Sequence, residues 1–300
     1  MKQLTFGFIG LGAMGLNSAR RLLQAGHNVQ GFDIRQSSME QFAKDGGKPA
    51  ASAGAVTADA QATIIFLVNA RQTESVLFGS EGLAVLAPRG HILVSCVTMA
   101  AGDARRLASR CAEHGLVYVD APVSGGVIGA GNGTLSIMAS GPKSALDVCA
   151  PIFAAMGSRV LYVGDQPGQG STFKTINQML CGVHLAVAGE AMALAARAGL
   201  DTQQVFDLVS QSAASSWMLK DRGPAMIKRK YSRVNSAVDI FVKDMGVVLD
   251  LARDLRFPAT VSAAALQSFL GTSGAGFGEA DDSAVTEFYR LIRDSSADHV

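Results

Sequence analysis

Leu4-Thr5-Phe6-Gly7-Phe8-Ile9-Gly10-Leu11-Gly12-Ala13-Met14-Gly15 is the stretch from which the rest of the chain is read. Leu4 to Ile9 is a short apolar run of the kind that forms a strand buried on both faces. Ala13 to Ala25 carries apolar residues at helical spacing, so the G-x-G-x-x-G pattern of residues 10–15 sits where a strand turns into a helix. That context makes it a dinucleotide-binding fingerprint. Gly10 makes the tight turn, Gly12 leaves room for a pyrophosphate against the backbone, and Gly15 lets helix and strand pack closely. Backbone N–H groups and the positive end of the helix dipole then face the phosphates, which makes Leu11, Ala13 and Met14 contact candidates beside the three glycines. The competing reading is a glycine-rich turn with structural meaning alone. Asp33 closes the next strand, Asn28 to Phe32, 18 residues after Gly15, near the ~20 expected of an acid that receives ribose hydroxyls. Its charge would repel a 2′-phosphate and favours NAD over NADP. Arg35, two residues on, reaches a 2′-phosphate or stacks on adenine.

Outward from this unit the same alternation continues. Ala62 to Val68, His91 to Val97, Leu116 to Val123, Thr134 to Ala139 and Arg159 to Val163 read as further buried strands. Ser37 to Lys44, Gln72 to Phe78, Ala100 to His114 and Pro142 to Ala155 read as helices between them. The expected fold is α/β: a doubly wound, mainly parallel Rossmann sheet with right-handed crossovers. After Val163 the cluster Gly164-Asp165-Gln166-Pro167-Gly168-Gln169-Gly170 breaks the pattern, and a long helix is expected from about Ser171 to Ala198. Beyond it only helical periodicity appears, over Thr202 to Gln211, Pro224 to Lys230, Val238 to Arg256, Ala259 to Leu270 and Asp282 to Asp294. The expected domains are 1–164, which holds the dinucleotide, and 165–300, all-helical. The long helix is apolar on several faces, as a helix buried between domains or subunits is, so a homodimer or homotetramer is expected.

Composition narrows the function classes. The chain has 300 residues, 48% of them hydrophobic and 17% charged, which suits buried cores rather than disorder. Twenty-six Lys plus Arg against 25 Asp plus Glu leave a net charge of +1, so a nucleic-acid partner is not expected. No membrane partner is expected either, since no run approaches the ~20 uninterrupted apolar residues of a span. Cys96, Cys111, Cys149 and Cys181 form no C-x-x-C pair and suit free thiols in a cytoplasmic protein. His27, His91, His114 and His299 have no partner at metal spacing, so no metal is expected; His184 reads as a core residue.

Two further stretches carry chemistry. Asp120-Ala121-Pro122-Val123-Ser124-Gly125-Gly126 leaves a strand into a loop whose backbone N–H groups suit an anion such as a carboxylate. Taken alone the loop is ambiguous, because Pro and Gly after a strand usually mark a turn. Lys174 is placed in the first turn of the long helix, with Asn177 and Gln178 on the same face. Near the dipole's positive end an ammonium is disfavoured, as an acid–base lysine requires; a solvated surface lysine is the plain alternative.

Together these residues resemble the β-hydroxyacid dehydrogenase family. The marks are residues 10–15, Asp120 to Gly126, Gly168-Gln169-Gly170-Ser171-Thr172-Phe173-Lys174-Thr175-Ile176-Asn177, and Phe241-Val242-Lys243-Asp244, in that order. The resemblance implies that Lys174 is catalytic, that Asn177 orients substrate and that Ser124, Gly125 and Gly126 form the carboxylate loop. It also implies cofactor contacts from Lys243, from Thr98 and from Val68 in Leu67-Val68-Asn69-Ala70. The chain departs from the family at Ser95-Cys96-Val97-Thr98, which lacks the usual acid and one hydroxyl, and at Asn177-Gln178, where a second Asn is usual. Ser216-Trp217-Met218 and Asp281-Asp282-Ser283-Ala284-Val285 are similar to a branch that oxidises L-threonate to 2-oxo-tetronate. The alternatives are reduction of a small semialdehyde acid by the same apparatus and a non-catalytic NAD(H)-binding module. Trp217, Lys220 and Arg222 are candidates for the far end of the substrate.

Overall fold

The computed structural model describes residues 3–291, and the chain divides into two units, Met1–Thr175 and Ile176–Val300. In the first unit, nine strands among the described residues share one sheet. They are β1 (Thr5–Ile9), β2 (Asn28–Phe32), β3 (Lys48–Pro49), β4 (Ala62–Ile65), β5 (Ile92–Ser95), β6 (Val117–Asp120), β7 (Val123–Ser124), β8 (Leu135–Ser140) and β9 (Gly157–Gly164). Their order is β3-β2-β1-β4-β5-β6-β8-β7, with β9 paired to β8. Pairing is parallel except at β6–β8 and β7–β8. The register sets Ile9 beside Ile65, Ile65 beside Ser95, Ser95 beside Asp120 and Asp120 beside Ser140. The loops that begin at Gly10, Phe66, Cys96 and Ala121 therefore leave one edge of the sheet, the carboxyl edge at which open α/β sheets bind ligands.

Helices α1 (Ala13–Gln24), α2 (Gln36–Lys44), α3 (Ala70–Phe78), α4 (Leu83–Leu86), α5 (Ala101–Glu113), α6 (Gly126–Asn132) and α7 (Lys143–Met156) cover the sheet. Phe6, Phe8, Leu22, Ile64 and Phe153 anchor one apolar layer and Ile9, Ile65, Leu77, Leu93 and Leu107 another. Alternate side chains of one strand point to opposite faces, so Phe8 and Ile9 belong to different layers.

The second unit is helical. Helix α8 (Gln169–Arg197) begins in the first unit and runs into it. Then follow α9 (Thr202–Val209), α10 (Trp217–Lys228), α11 (Val238–Asp254), α12 (Thr260–Thr272) and α13 (Thr286–Leu291), with a 3₁₀ turn at Asp282–Val285. Leu185, Met192, Met226, Met245, Phe269 and Val285 form its core. By length and composition α8 meets the requirement for crossing a bilayer, a test the core helix of a packed domain also passes, and 44% of its apolar window is buried.

Several elements differ from the sequence reading. β9 is not buried on both faces: it is an edge strand, and Tyr162 is exposed. β4 stops at Ile65, so Val68 lies in the following loop. Helix α10 starts at Trp217 and not at Pro224, because the Ser216 side chain accepts the Leu219 N–H and caps it. Pro224 is carried inside that helix. The final expected helix is a 3₁₀ turn followed by α13, and residues 292–294 of it, like His299, lie outside the described residues. His184 is half-buried rather than core.

Candidate active site

The glycine loop meets the demands of a dinucleotide cradle in three separable ways. Gly10 has φ +87°, in the left-handed region that favours glycine, and a Cβ there would drive into the Phe66 carbonyl. A Cβ on Gly15 would collide with the Gly10 carbonyl oxygen. Gly12 is different, for a Cβ there would meet only the end of the Arg35 side chain, at 3.2 Å, and no backbone atom. Packing against backbone thus explains Gly10 and Gly15, while at Gly12 only a side-chain end stands near, which fits a ligand that approaches the backbone. No side chain caps α1 at Gly12 and no acid stands in its first turn. The first N–H groups of a helix need acceptors from outside it, and phosphate oxygens suit that need. A recess lined by Gly12, Ala13, Arg35, Ser37 and Ser38 opens beside them.

Asp33 closes the cradle. Its Oδ2 accepts the Leu11 N–H at 2.7 Å, and its Oδ1 accepts the Arg35 N–H at 2.8 Å and the Arg35 Nε–H at 3.2 Å. Burial works against its charge, but the Arg35 guanidinium and the N–H groups of Arg35 and Leu11 outweigh it and hold the carboxyl below the usual range. Asp33 therefore ties the loop that carries Leu11 to the end of β2. Arg35 is paired to Asp33 in this arrangement.

Along the same sheet edge, Val68 is partly exposed and donates its N–H to Gln72 Oε1 at 3.0 Å. Thr98 follows β5 and is half-buried. Ser124 ends β7, paired with Ser136 of β8, and Gly125 and Gly126 have φ +134° and +62°. Those angles suit glycine, and with them the chain turns at once into α6.

Lys174 is the sixth residue of α8 and not in its first turn, because the helix already starts at Gln169. The dipole effect falls off within the first turn, so it cannot supply the environment expected for this lysine. What sets Lys174 apart is burial: 6% of it is exposed. A solvated surface lysine is excluded by that figure.

In the second unit Asn177 donates from Nδ2 to Gln178 Oε1 at 2.9 Å, and Gln178 donates from Nε2 to Asp244 Oδ2 at 2.5 Å. Lys243 Nζ lies 2.7 Å from Asp244 Oδ1. A polar chain thus joins Asn177 to Lys243 through Gln178 and Asp244. The helical spacing of residues 174–178 and of 241–244 marks both ends but not the link, which crosses 66 residues of sequence. Arg222 does not serve as a substrate group. It is buried, and its Nε–H donates to Asp282 Oδ1 at 2.5 Å, with a further bond to Asp221. Trp217 and Lys220 are exposed. Among the described residues no cluster of His, Cys, Asp and Glu suits a metal ion.

A sheet edge with this cradle fits a dinucleotide-binding domain, and comparison with known proteins places the chain among the nicotinamide-dinucleotide dehydrogenases. Residues 5–164 match the NAD-binding domain of 6-phosphogluconate dehydrogenase, and residues 168–289 match the NAD-binding domain of NADP-dependent 3-hydroxyisobutyrate dehydrogenase. An L-threonate dehydrogenase of Cupriavidus necator is 45% identical over 283 residues, 94% of this chain and 95% of that protein. Another, from Escherichia coli K12, is 39% identical over 95% of each. The crystal structure of a 3-hydroxyisobutyrate dehydrogenase from Salmonella typhimurium superposes with a TM-score of 0.89 at 40% identity, covering 95% of this chain and 99% of that one. The chain belongs to the β-hydroxyacid dehydrogenase family. It is an NAD-dependent oxidoreductase of hydroxy acids.

Proposed function

We propose that the enzyme oxidises L-threonate to 2-oxo-tetronate. The observation that carries this is the 39–45% identity, over nearly the full length, to L-threonate dehydrogenases of two organisms. NAD supplies the hydride acceptor for the carbinol carbon. Lys174 takes the hydroxyl proton in the oxidation and returns one to the carbonyl in reverse; a positioned acid–base group is typically worth ~10²–10⁴-fold. Ser124 and the N–H groups of Gly125 and Gly126 hold the carboxylate, and Asn177 orients the reacting hydroxyl. Gly10 to Gly15, Asp33, Arg35, Val68 and Thr98 hold the cofactor, with Lys243 as a further contact. Residues 1–164 on this reading serve the cofactor, and 165–300 serve substrate and assembly. The test is NADH formation with a panel of three- and four-carbon hydroxy acids. L-threonate is expected to give the highest kcat/KM, and a clear preference for 3-hydroxyisobutyrate would refute the assignment.

A second reading, the interconversion of a small semialdehyde acid and its alcohol, draws on the likeness to the Salmonella 3-hydroxyisobutyrate dehydrogenase. The same panel, run in both directions, separates the two. We also propose a cytoplasmic homodimer or homotetramer. Leu180, Val187 and Leu194, seven residues apart on α8, are each more than half exposed, and such a stripe suits a partner helix. Light scattering at micromolar concentration tests it, and a monomer would overturn it.

A further inference from the structure

We propose that Asp120 is the positioning residue for Lys174: its carboxylate holds the start of α8 on the ends of β6 and β8 and so sets where the lysine lies. This rests on the reading of Lys174 as the acid–base group. Asp120 is wholly buried. Its Oδ2 accepts the N–H of Gly168 at 2.9 Å and of Ser171 at 2.8 Å, and its Oδ1 accepts the Ser171 hydroxyl at 2.8 Å. Ser140, its neighbour across the sheet, accepts the Gly170 N–H at 3.0 Å. The start of the helix is thus capped by residues far back in the sequence, 48 to 51 positions away for Asp120. The seat is also tight, because a Cβ on Gly170 would collide with the Met138 and Asp120 carbonyl oxygens.

Helix geometry converts this cap into a position for Lys174. Ser171 and Lys174 are three residues apart and share a face. A slip of one residue turns a helix by about 100° and moves it about 1.5 Å along its axis, which would carry the lysine off that face. Asp120 also stands four residues before Ser124, and the Ala121 N–H to Ser95 and Met138 N–H to Pro122 bonds fix the connection between them. One carboxylate therefore ties the proposed carboxylate loop to the helix that bears the proposed base. Burial raises the Asp120 carboxyl above its usual range, against the pull of Ser171 and Gly168.

The experiment is a double-mutant cycle with Asp120→Ala and Lys174→Ala, together with the rate at which Lys174 is reductively methylated, read by peptide mass spectrometry. A misplaced catalytic group costs about 10²-fold, so Asp120→Ala should lower kcat by about that much while NADH affinity holds. In the Lys174→Ala background the same change should lower kcat no further. Methylation of Lys174 should rise at least about tenfold, as local release of a buried group would make it, while that of exposed Lys220 stays level. Asp120→Asn should restore most of kcat, since its oxygen still accepts the two amides and the Ser171 hydroxyl turns to accept its NH₂. A near-normal kcat for Asp120→Ala, or an equal loss with and without Lys174, overturns the proposal. If Asp120→Ala does not fold, Ser171→Ala enters the same cycle, with a smaller loss expected that likewise vanishes without Lys174. A wild-type enzyme inactive on every hydroxy acid would sink the functional reading alone. The labelling still decides whether Asp120 holds Lys174, and unchanged labelling would refute it.

Discussion

The two units are held together by different means. Apart from Asp33, the ion pairs of the first unit lie on its outside, such as Arg20–Asp45 and Arg106–Glu74, with every partner partly exposed. Among the described residues of the second, three carboxylates are enclosed: Asp282 with Arg222, Glu287 with Arg229, and Asp244 with Lys243, at 0, 3 and 2% side-chain exposure, while Arg253–Asp250 stays on the surface. Tyr231 adds a hydroxyl bond to Glu287 at 2.6 Å, and Asp281 accepts the Asn235 N–H at 2.8 Å. The reason lies in the backbone. Strands bond to one another through their main chains, so a sheet sets its own register and leaves side chains free for a site. A helix uses its main-chain groups internally, so helix-to-helix register depends on side chains. The first unit can therefore gather binding groups along one edge, while the second commits several buried carboxylates to structure.

The largest expected effect sets a binding scaffold apart from the group that acts on it. Lys174→Ala should lower kcat by at least about 10³-fold with NADH affinity nearly unchanged, by single-turnover kinetics and fluorescence titration. A variant that keeps a tenth of kcat, or loses NADH, would make Lys174 part of the frame.

Next comes the contrast of buried and exposed pairs. Asp282→Asn leaves the buried Arg222 guanidinium with the partly exposed Asp221 as its remaining carboxylate and should destabilise by up to about 3 kcal/mol, the low end for a broken buried pair. Arg20→Ala in the first unit should cost no more than about 1 kcal/mol. Urea unfolding measures both, and Trp217, the one tryptophan, reports on the second unit. Equal costs would erase the contrast.

Cofactor choice concentrates in the first unit. Wild type should favour NAD over NADP by about 10² in kcat/KM, because a 2′-phosphate would face Asp33. Asp33→Ala should remove most of that ratio and free Arg35. If turnover with NADP already equals that with NAD, Asp33 is a turn residue and Arg35 the phosphate ligand.

The smallest effect is a pH term inside the sheet. His91 is buried, with Nε2 2.8 Å from the Thr63 hydroxyl, and burial lowers it from 6.5 to about 4. The unfolded chain therefore binds the extra proton first as pH falls. Stability from this group is complete above pH 6.5, declines between about 6.5 and 4, and changes no further below that. Between pH 7.5 and 5 the loss should be about 2 kcal/mol in urea midpoints, and His91→Asn should flatten the slope by that amount. An unchanged slope in the variant would place the titration elsewhere.

Much of the fold was legible because its signals are local. A left-handed turn calls for glycine at Gly10 itself, Asp33 lies one strand from its loop, and hydrophobic period separates strands from helices within a dozen residues. The same locality misled where packing decides. The apolar run of β9 gave no sign of lying at the sheet's edge, and Pro224 marked a helix start less well than Ser216.

The cradle, the alternation of strands and helices, and the helical second half follow from the order of residues, because each needs only neighbours in the chain. The burial of Lys174, the seat of α8 on Asp120, the link from Asn177 to Lys243 and the commitment of Arg222 to Asp282 belong to the folded structure alone. Each depends on the environment or on a partner 48 to 66 residues away, and whether a charge meets its partner or solvent is settled when distant segments pack and exclude water.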